Sequence, residues 1–122
     1  MRVAIIGSRS LAGNKEVAEK MEEMIMQHLQ HSPTIVSGGA EGVDTLAQRL
    51  GKKYGLDVIV FKPYFKLAGC EYKIEDFFVR NRQIVDNCDR LWSFWDGVSG
   101  GSKYTTEYAK KRRKDVSELV FD

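Results

Sequence analysis

Apolar positions along this chain switch repeatedly between a short continuous run and a helical period. Residues 2–6 (RVAII) form a β-branched run closed by Gly7, the pattern of a strand buried on both faces. Over residues 14–30, Val17, Met21, Met24, Ile25 and Leu29 recur at helical spacing behind Asn14, a residue suited to cap a helix start. Pro33 then separates that helix from TIVS (34–37), a second strand. Val43, Leu46, Ala47, Leu50 and Tyr54 fall at i, i+3, i+4, i+7 and i+11, and Gly55 stands where a helix would end. DVIVF (57–61) reads as a third strand, closed by Pro63.

Residues 62–74 have no clean period and are long for a connection, so they are expected to be functional or mobile. Phe77, Ile84 and Val85, with polar residues between them, predict a third helix ending near Asn87. RLWSFW (90–95) is a fourth strand, DGVSGGS a glycine-rich turn, 104–114 a fourth helix and SELVF (117–121) a fifth strand. This alternation predicts an α/β fold: one Rossmann-like domain over residues 1–122, with a five-stranded, mainly parallel sheet in the order 3-2-1-4-5. Helices cover both faces through right-handed crossovers. The topological switch point then falls between strands one and four, and ligands bind there, outside the carboxyl ends of the strands.

Three glycine-bearing loops leave the sheet at that edge: Gly7-Ser8-Arg9, the 38–42 loop GGAEG, and the 96–102 loop DGVSGGS. Glycine lets backbone approach a ligand, and a helix beginning there turns unpaired N–H groups and a partial positive charge toward an anion. Any one of these loops also reads as a plain tight turn. Three together point to a phosphorylated ligand. The spacing is neither G-x-G-x-x-G nor G-x-x-x-x-G-K-[ST], so neither a dinucleotide fingerprint nor a P-loop is present.

Composition narrows this only modestly. An apolar share of 43% and a charged share of 30% are those of an ordinary soluble domain. No apolar run approaches the ~20 residues of a membrane span, so no membrane partner is expected and a cytoplasmic setting is. A net charge of +2 does not single out a polyanionic partner. Cys70 and Cys88 form no C-x-x-C pair and read as reduced thiols, and His28 and His31 at the end of the first helix suit its dipole better than a metal. No metal and no cofactor are expected.

Four stretches carry a resemblance: GSR after the first strand, SGGAEGVDTLA after the second, RNRQIVDNCD before the fourth, and FWDGVSGGSKYTTEYAKKR from its end onward. Together they resemble the SLOG superfamily of Rossmann-like nucleotide-binding proteins, especially its small bacterial and phage branch. Related branches include the DNA-processing protein A family, which binds single-stranded DNA, and the "lonely guy" phosphoribohydrolases, which release a base from a nucleoside monophosphate. The resemblance implies a nucleotide or nucleotide-derived ligand and assembly as a homo-oligomer through helices flanking the crevice. Where the phosphoribohydrolases carry P-G-G-x-G-T-x-x-E, this chain reads DGVSGGSKYTTE. Thr105 falls where their Glu is sought, and Glu107 is the nearest acid. Their catalytic Arg lies near RNR, which makes Arg80 and Arg82 the candidates here. Extra residues after Ala68-Gly69 look like a lid or an oligomer contact.

Among single residues, Arg9 at a strand end is suited to grip an anion bidentately. Asp44, in the first turn of the second helix, reads equally as a ligand-positioning group or a capping one. Phe77, Asn81, Ile84 and Cys88 share one helix face, which sets the Asn81 amide among apolar groups, where it needs partners. Trp95 is placed to stack on a base or to pack, Asp96 to accept ribose hydroxyls, and Trp92 faces the opposite side as core. Ser102 is placed to cap the last helix or bind phosphate.

The ligand-binding set expected from the sequence is therefore Gly7, Ser8, Arg9, Ser37, Gly38, Gly39, Ala40, Asp44, Arg80, Asn81, Trp95, Asp96, Gly100, Gly101 and Ser102. Catalytic candidates are Arg80, Arg82, Asp96 and Glu107. The favoured function is a nucleotide sensor or carrier module. The alternatives are a nucleoside 5′-monophosphate phosphoribohydrolase and, less favoured, single-stranded DNA binding through KKRRK (110–114) with Tyr64, Phe65 and Tyr72.

Overall fold

A computed structural model describes residues 1–71 and 73–122, so the expected role of Tyr72 lies outside the described residues, as does the side chain of Phe65. The strands are β1 (Arg2–Gly7), β2 (Thr34–Ser37), β3 (Val58–Val60), β4 (Arg90–Trp95) and β5 (Asp115–Val120). The helices are α1 (Lys15–His28), α2 (Val43–Lys53), α3 (Tyr64–Ala68), α4 (Ile74–Asp86) and α5 (Gly100–Lys111). The strands form one sheet in the order β3-β2-β1-β4-β5, with every neighbouring pair parallel. That is the expected Rossmann-like topology.

Each sheet face carries its own core, and the alternation of side chains along the central strands feeds both. Val3, Ile5, Ile35, Trp92 and Phe94 pack with Val17, Met21 and Ile25 of α1 and with Val43, Ala47 and Leu50 of α2. On the opposite face Ala4, Ile6, Val36 and Leu91 pack with Ile84 and Val85 of α4 and Ala109 of α5. Burying side chains of this size stabilises the fold by about 1.5–3 kcal/mol each, which makes β1 and β4 the rigid centre from which the loops project. Asn14 caps α1 as expected, its Oδ1 accepting from Val17 N at 3.0 Å.

The boundaries differ where the sequence lacks apolar markers. The helix expected at 104–114 begins four residues earlier, at Gly100, so Ser99 rather than Ser102 occupies the N-cap position. Two glycines and a serine read as a turn, yet in a first turn they cost the helix little because Thr105, Thr106 and Ala109 anchor the following turns. Within the segment expected to lack structure, residues 64–68 form the short α3, and α4 already starts at Ile74.

Candidate functional site

β1 and β4 lie side by side with Gly7 opposite Phe94, and Ser8 N donates to Phe94 O at 3.0 Å. Register therefore places the loops after β1 and β4 next to each other. The loop after β2 and the first turn of α2 close a second side, and α4 crosses above. The enclosed cleft measures about 390 Å³ and is lined by Ser8 and Arg9 below, Ala40, Glu41 and Asp44 on the α2 side, and Ser99, Gly101, Ser102 and Thr105 on the α5 side. Ile74, Phe77, Phe78, Arg80, Asn81 and Ile84 of α4 complete it. It occupies the switch point at which an open parallel sheet takes a ligand.

The glycines divide into two kinds. A Cβ on Gly38 would lie 2.8 Å from Arg80 Nη1 and 2.9 Å from Asp44 Oδ2. The volume is filled by the protein's own ion-bearing groups, and Gly38 does not line the cleft. Gly39, at φ +72°, turns the chain where a Cβ would meet Val60 at 2.8 Å, and Gly7 makes room for Val43. These three glycines were expected to approach a ligand; close packing of the scaffold accounts for Gly38 and Gly39, whereas Gly7 lines the cleft while also making room for Val43. Gly100 and Gly101 are the contrary case, with nothing within 4 Å of the Cβ position.

Arg80 is the strut that Gly38 admits. It is only 7% exposed. Nη1 donates to Gly38 O at 2.5 Å and to Phe61 O at 3.4 Å, while Nε donates to Asn81 Oδ1 at 2.8 Å. This answers the Asn81 amide's need for a partner from within α4. Nη2 has no partner among the described residues. Burial pushes the Arg80 guanidinium below its ordinary value, the Asp44 charge opposing that shift and Arg9 adding to it. The carbons of the Arg9 and Arg80 guanidinium groups lie 5.8 Å and 5.5 Å from the centre of the Phe77 ring, so one ring holds both cations at the cleft.

Asp44 is 8% exposed, and its Oδ2 accepts from Ala40 N at 3.1 Å. Burial raises its carboxyl from 3.8 to about 6, against the opposing effects of the Ala40 amide, Arg80, the Gly38 amide and Arg9. Ser37 is buried beneath this corner, donating to Asp44 O at 3.4 Å and accepting from Gly39 N at 3.4 Å, so it supports the loop rather than facing the cleft. Ser8 Oγ and Ser102 Oγ, both buried, lie 3.4 Å apart on the floor.

Four further expected site residues are placed elsewhere. Asp96 accepts from Ser10 Oγ (2.7 Å), Ser99 Oγ (2.5 Å), Ser99 N (2.7 Å) and Val98 N (2.9 Å), which leaves it little capacity for ribose hydroxyls. The hydrogen bonds from Ser10 and Ser99 hold its carboxyl well below the usual range, the opposite of what a proton donor needs. Trp95 is half-buried, and its Nε1 donates to Ser99 O at 3.0 Å, which fixes the ring as packing for the β4 loop. Arg82 donates to Tyr104 Oη at 2.9 Å on the α4–α5 surface. Glu107 is exposed on α5, and Thr105 lines the cleft in its place. Phe77, Phe78, Glu41 and Thr105 were not expected in the site. Phe77 shares the Asn81 face at helical spacing, and Thr105 follows Ser102 by three residues, so both were within reach of the periodicity. Among the described residues no three His, Cys, Asp or Glu side chains group as a metal site would require, and no helix is long and apolar enough to cross a membrane.

A parallel sheet in the order β3-β2-β1-β4-β5, with a mixed-charge cleft at its switch point, defines a Rossmann-like domain. Within that class the chain belongs to the YspA, cpYpsA-related SLOG family, whose model matches residues 1–67. Comparison with curated proteins gave no match. Among solved structures, the chain is similar to DNA processing protein A of Streptococcus pneumoniae (TM-score 0.81, 26% identity), covering 99% of this chain and 50% of that one. It is also similar to DNA processing protein A of Helicobacter pylori, described by its single-stranded DNA binding mode (TM-score 0.79, 22% identity, 100% of this chain and 66% of that one). The molybdenum cofactor carrier protein of Chlamydomonas reinhardtii shares the fold (TM-score 0.66, 16% identity, 97% and 76%). This chain thus spans about half the length of the Streptococcus protein.

Proposed function

We propose that the protein binds a nucleotide or nucleotide-derived small molecule in this cleft, as a sensor or carrier module. The observation that carries the reading is the open first turn of α5. Gly100 and Gly101 leave the helix N-terminus uncovered, next to the Ser8–Ser102 floor and opposite the two guanidinium groups gathered on Phe77. Unpaired N–H groups, two hydroxyls and two cations suit a phosphate. The molybdenum cofactor carrier that shares the fold favours a small ligand, retained rather than consumed. The carboxylates first considered for N-glycosidic hydrolysis, Asp96 and Glu107, do not line the cleft, which leaves hydrolysis without an acid at either position.

The test is to incubate the purified protein with AMP, NAD and ADP-ribose and follow retained nucleotide and released base together by mass spectrometry. Intact ligand, lost in an Arg9→Ala or Gly101→Asp variant, is the expected result. Free base with ribose 5-phosphate would replace this reading with an enzymatic one.

Likeness to DNA processing protein A over nearly the whole chain favours a second reading, single-stranded DNA binding. Exposed Tyr64 and the basic residues 110–114 fit stacking and charge. DNA binding would fall steeply with salt, and a mononucleotide site would respond weakly. Self-association through the α4–α5 surface is part of the proposal. There Val79 is exposed and a 320 Å³ groove runs between Phe78, Arg82 and Tyr104, and light scattering of the purified protein reads it directly.

A further inference from the structure

A carboxylate buried inside a cleft furnished for an anion is a contradiction unless it meets something other than the anion. Asp44 is that group. It lies 8% exposed in the cleft lining, flanked by Arg80 and Arg9, with Glu41 on its own loop and Lys62 beside Gly39. Its Oδ2 accepts from the Ala40 amide and the Gly38 amide also bonds the carboxylate, which leaves acceptor capacity on a group able to take about four hydrogen bonds. A fully ionised phosphate bears no proton to give this carboxylate and would be repelled by it. The nucleoside half of a nucleotide carries such protons, on sugar hydroxyls and on exocyclic amines.

We propose, resting on the nucleotide reading above, that Asp44 is the specificity residue of the cleft. The remaining acceptor capacity of its carboxylate takes a hydrogen bond from the nucleoside half of the ligand, which turns that half inward and confines the phosphate to the open first turn of α5. Nη2 of Arg80, the guanidinium nitrogen without a partner, sits beside the same corner and supplies a donor for an adjacent acceptor on the sugar or base. A hydroxyl or a base edge offers donor and acceptor together, and so matches the Asp44–Arg80 pair. The same geometry disfavours a continuous polyanionic strand, whose successive phosphates would have to pass a buried negative charge.

Two measurements test this. In the first, calorimetry compares AMP with inorganic sulfate on the wild-type protein and on Asp44→Asn, which keeps an acceptor for Ala40 while removing the charge. AMP affinity is expected to fall by about tenfold or more, the scale of a hydrogen bond to a charged group, while sulfate affinity holds or rises. Both ligands weakening together would make Asp44 a structural residue, and both strengthening would make it only a repulsive charge; either overturns the inference. AMP lacking both ribose hydroxyls, and purine riboside 5′-monophosphate lacking the exocyclic amine, then identify which donor is read.

The second measurement needs no variant. Carbon NMR of the Asp44 carboxyl in the wild-type protein is expected to show its pKa lowered by AMP, which donates to the ionised form, and raised by sulfate. A rise with AMP overturns the proposal. Failure of AMP and sulfate alike to bind would instead remove the nucleotide reading on which it rests.

Discussion

The Arg80 guanidinium donates to the Gly38 carbonyl at 2.5 Å and fills the volume that a side chain on residue 38 would occupy. A glycine in the β2 loop and an arginine on α4 are therefore one structural unit.

Substitution Gly38→Ala is expected to push Arg80 and Asp44 apart, since its Cβ would lie 2.8 and 2.9 Å from them. Overpacking of this kind costs about 1–3 kcal/mol, read as a lower midpoint in urea unfolding together with weaker AMP binding. Gly101→Asp should separate the two effects. Its Cβ meets nothing within 4 Å, and an acid in a helix first turn is favourable, so stability holds or rises while anion binding is lost.

Asp44 sets a pH dependence whose sign is fixed by its raised carboxyl. Between 3.8 and about 6 the folded protein binds a proton more tightly than the unfolded chain, so this group's contribution to stability falls as pH rises through that window. Above about 6 the cost is fully present, and it amounts to no more than about 3 kcal/mol for a shift of roughly two units. Asp44→Asn is expected to be more stable than wild type by about 1–3 kcal/mol near pH 8, with the gap closing below about pH 4. Urea titrations at several pH values check this, and a constant gap would contradict it.

The Asp96 latch predicts the opposite behaviour in acid. Its carboxyl is held below its ordinary value of 3.8, so its contribution is intact above that value and disappears as pH falls further. Asp96→Ala is expected to lower the melting temperature at neutral pH. The difference from wild type should shrink in strong acid, where the native latch is itself protonated. Thermal melts across the acid range measure it.

Arg82 and Glu107 provide the control. Arg82→Ala and Glu107→Gln are expected to leave AMP affinity within about twofold, as for surface positions away from the site. Arg80→Ala should lower both affinity and stability, the latter by about 2 kcal/mol, because the Gly38 carbonyl loses its charged donor. Calorimetry of the three variants side by side decides it, and a large loss with Arg82→Ala would move the site.

How far the sequence foretold these features follows from what each depends on. β2 at 34–37 and β4 at 90–95 match residue for residue, because continuous apolar runs bounded by Pro33 and Asp96 leave no room for shift. The start of α5 was missed because glycine carries no periodic signal, and α3 because five residues are too few to show one. Arg80 and Arg82 stand two positions apart, about 200° around a helix, so one face could not hold both. Arg80 lies three residues from Phe77 and four from Ile84, which already put it on the cleft side. What the residues could not disclose is the partner of Gly38, a side chain 42 positions away brought there only by the β3–α4 crossover.

The Asp96 carboxylate bonds Ser10 from the first loop and Ser99 from the fourth, while Ser8 Oγ accepts from Asp96 N at 3.1 Å. Two loops separated by more than eighty residues thus form a single exchangeable module. Grafting either one alone onto a relative would leave hydroxyls or a carboxylate unanswered, so recombination that re-tools this cleft has to carry Ser8, Ser10, Asp96 and Ser99 together.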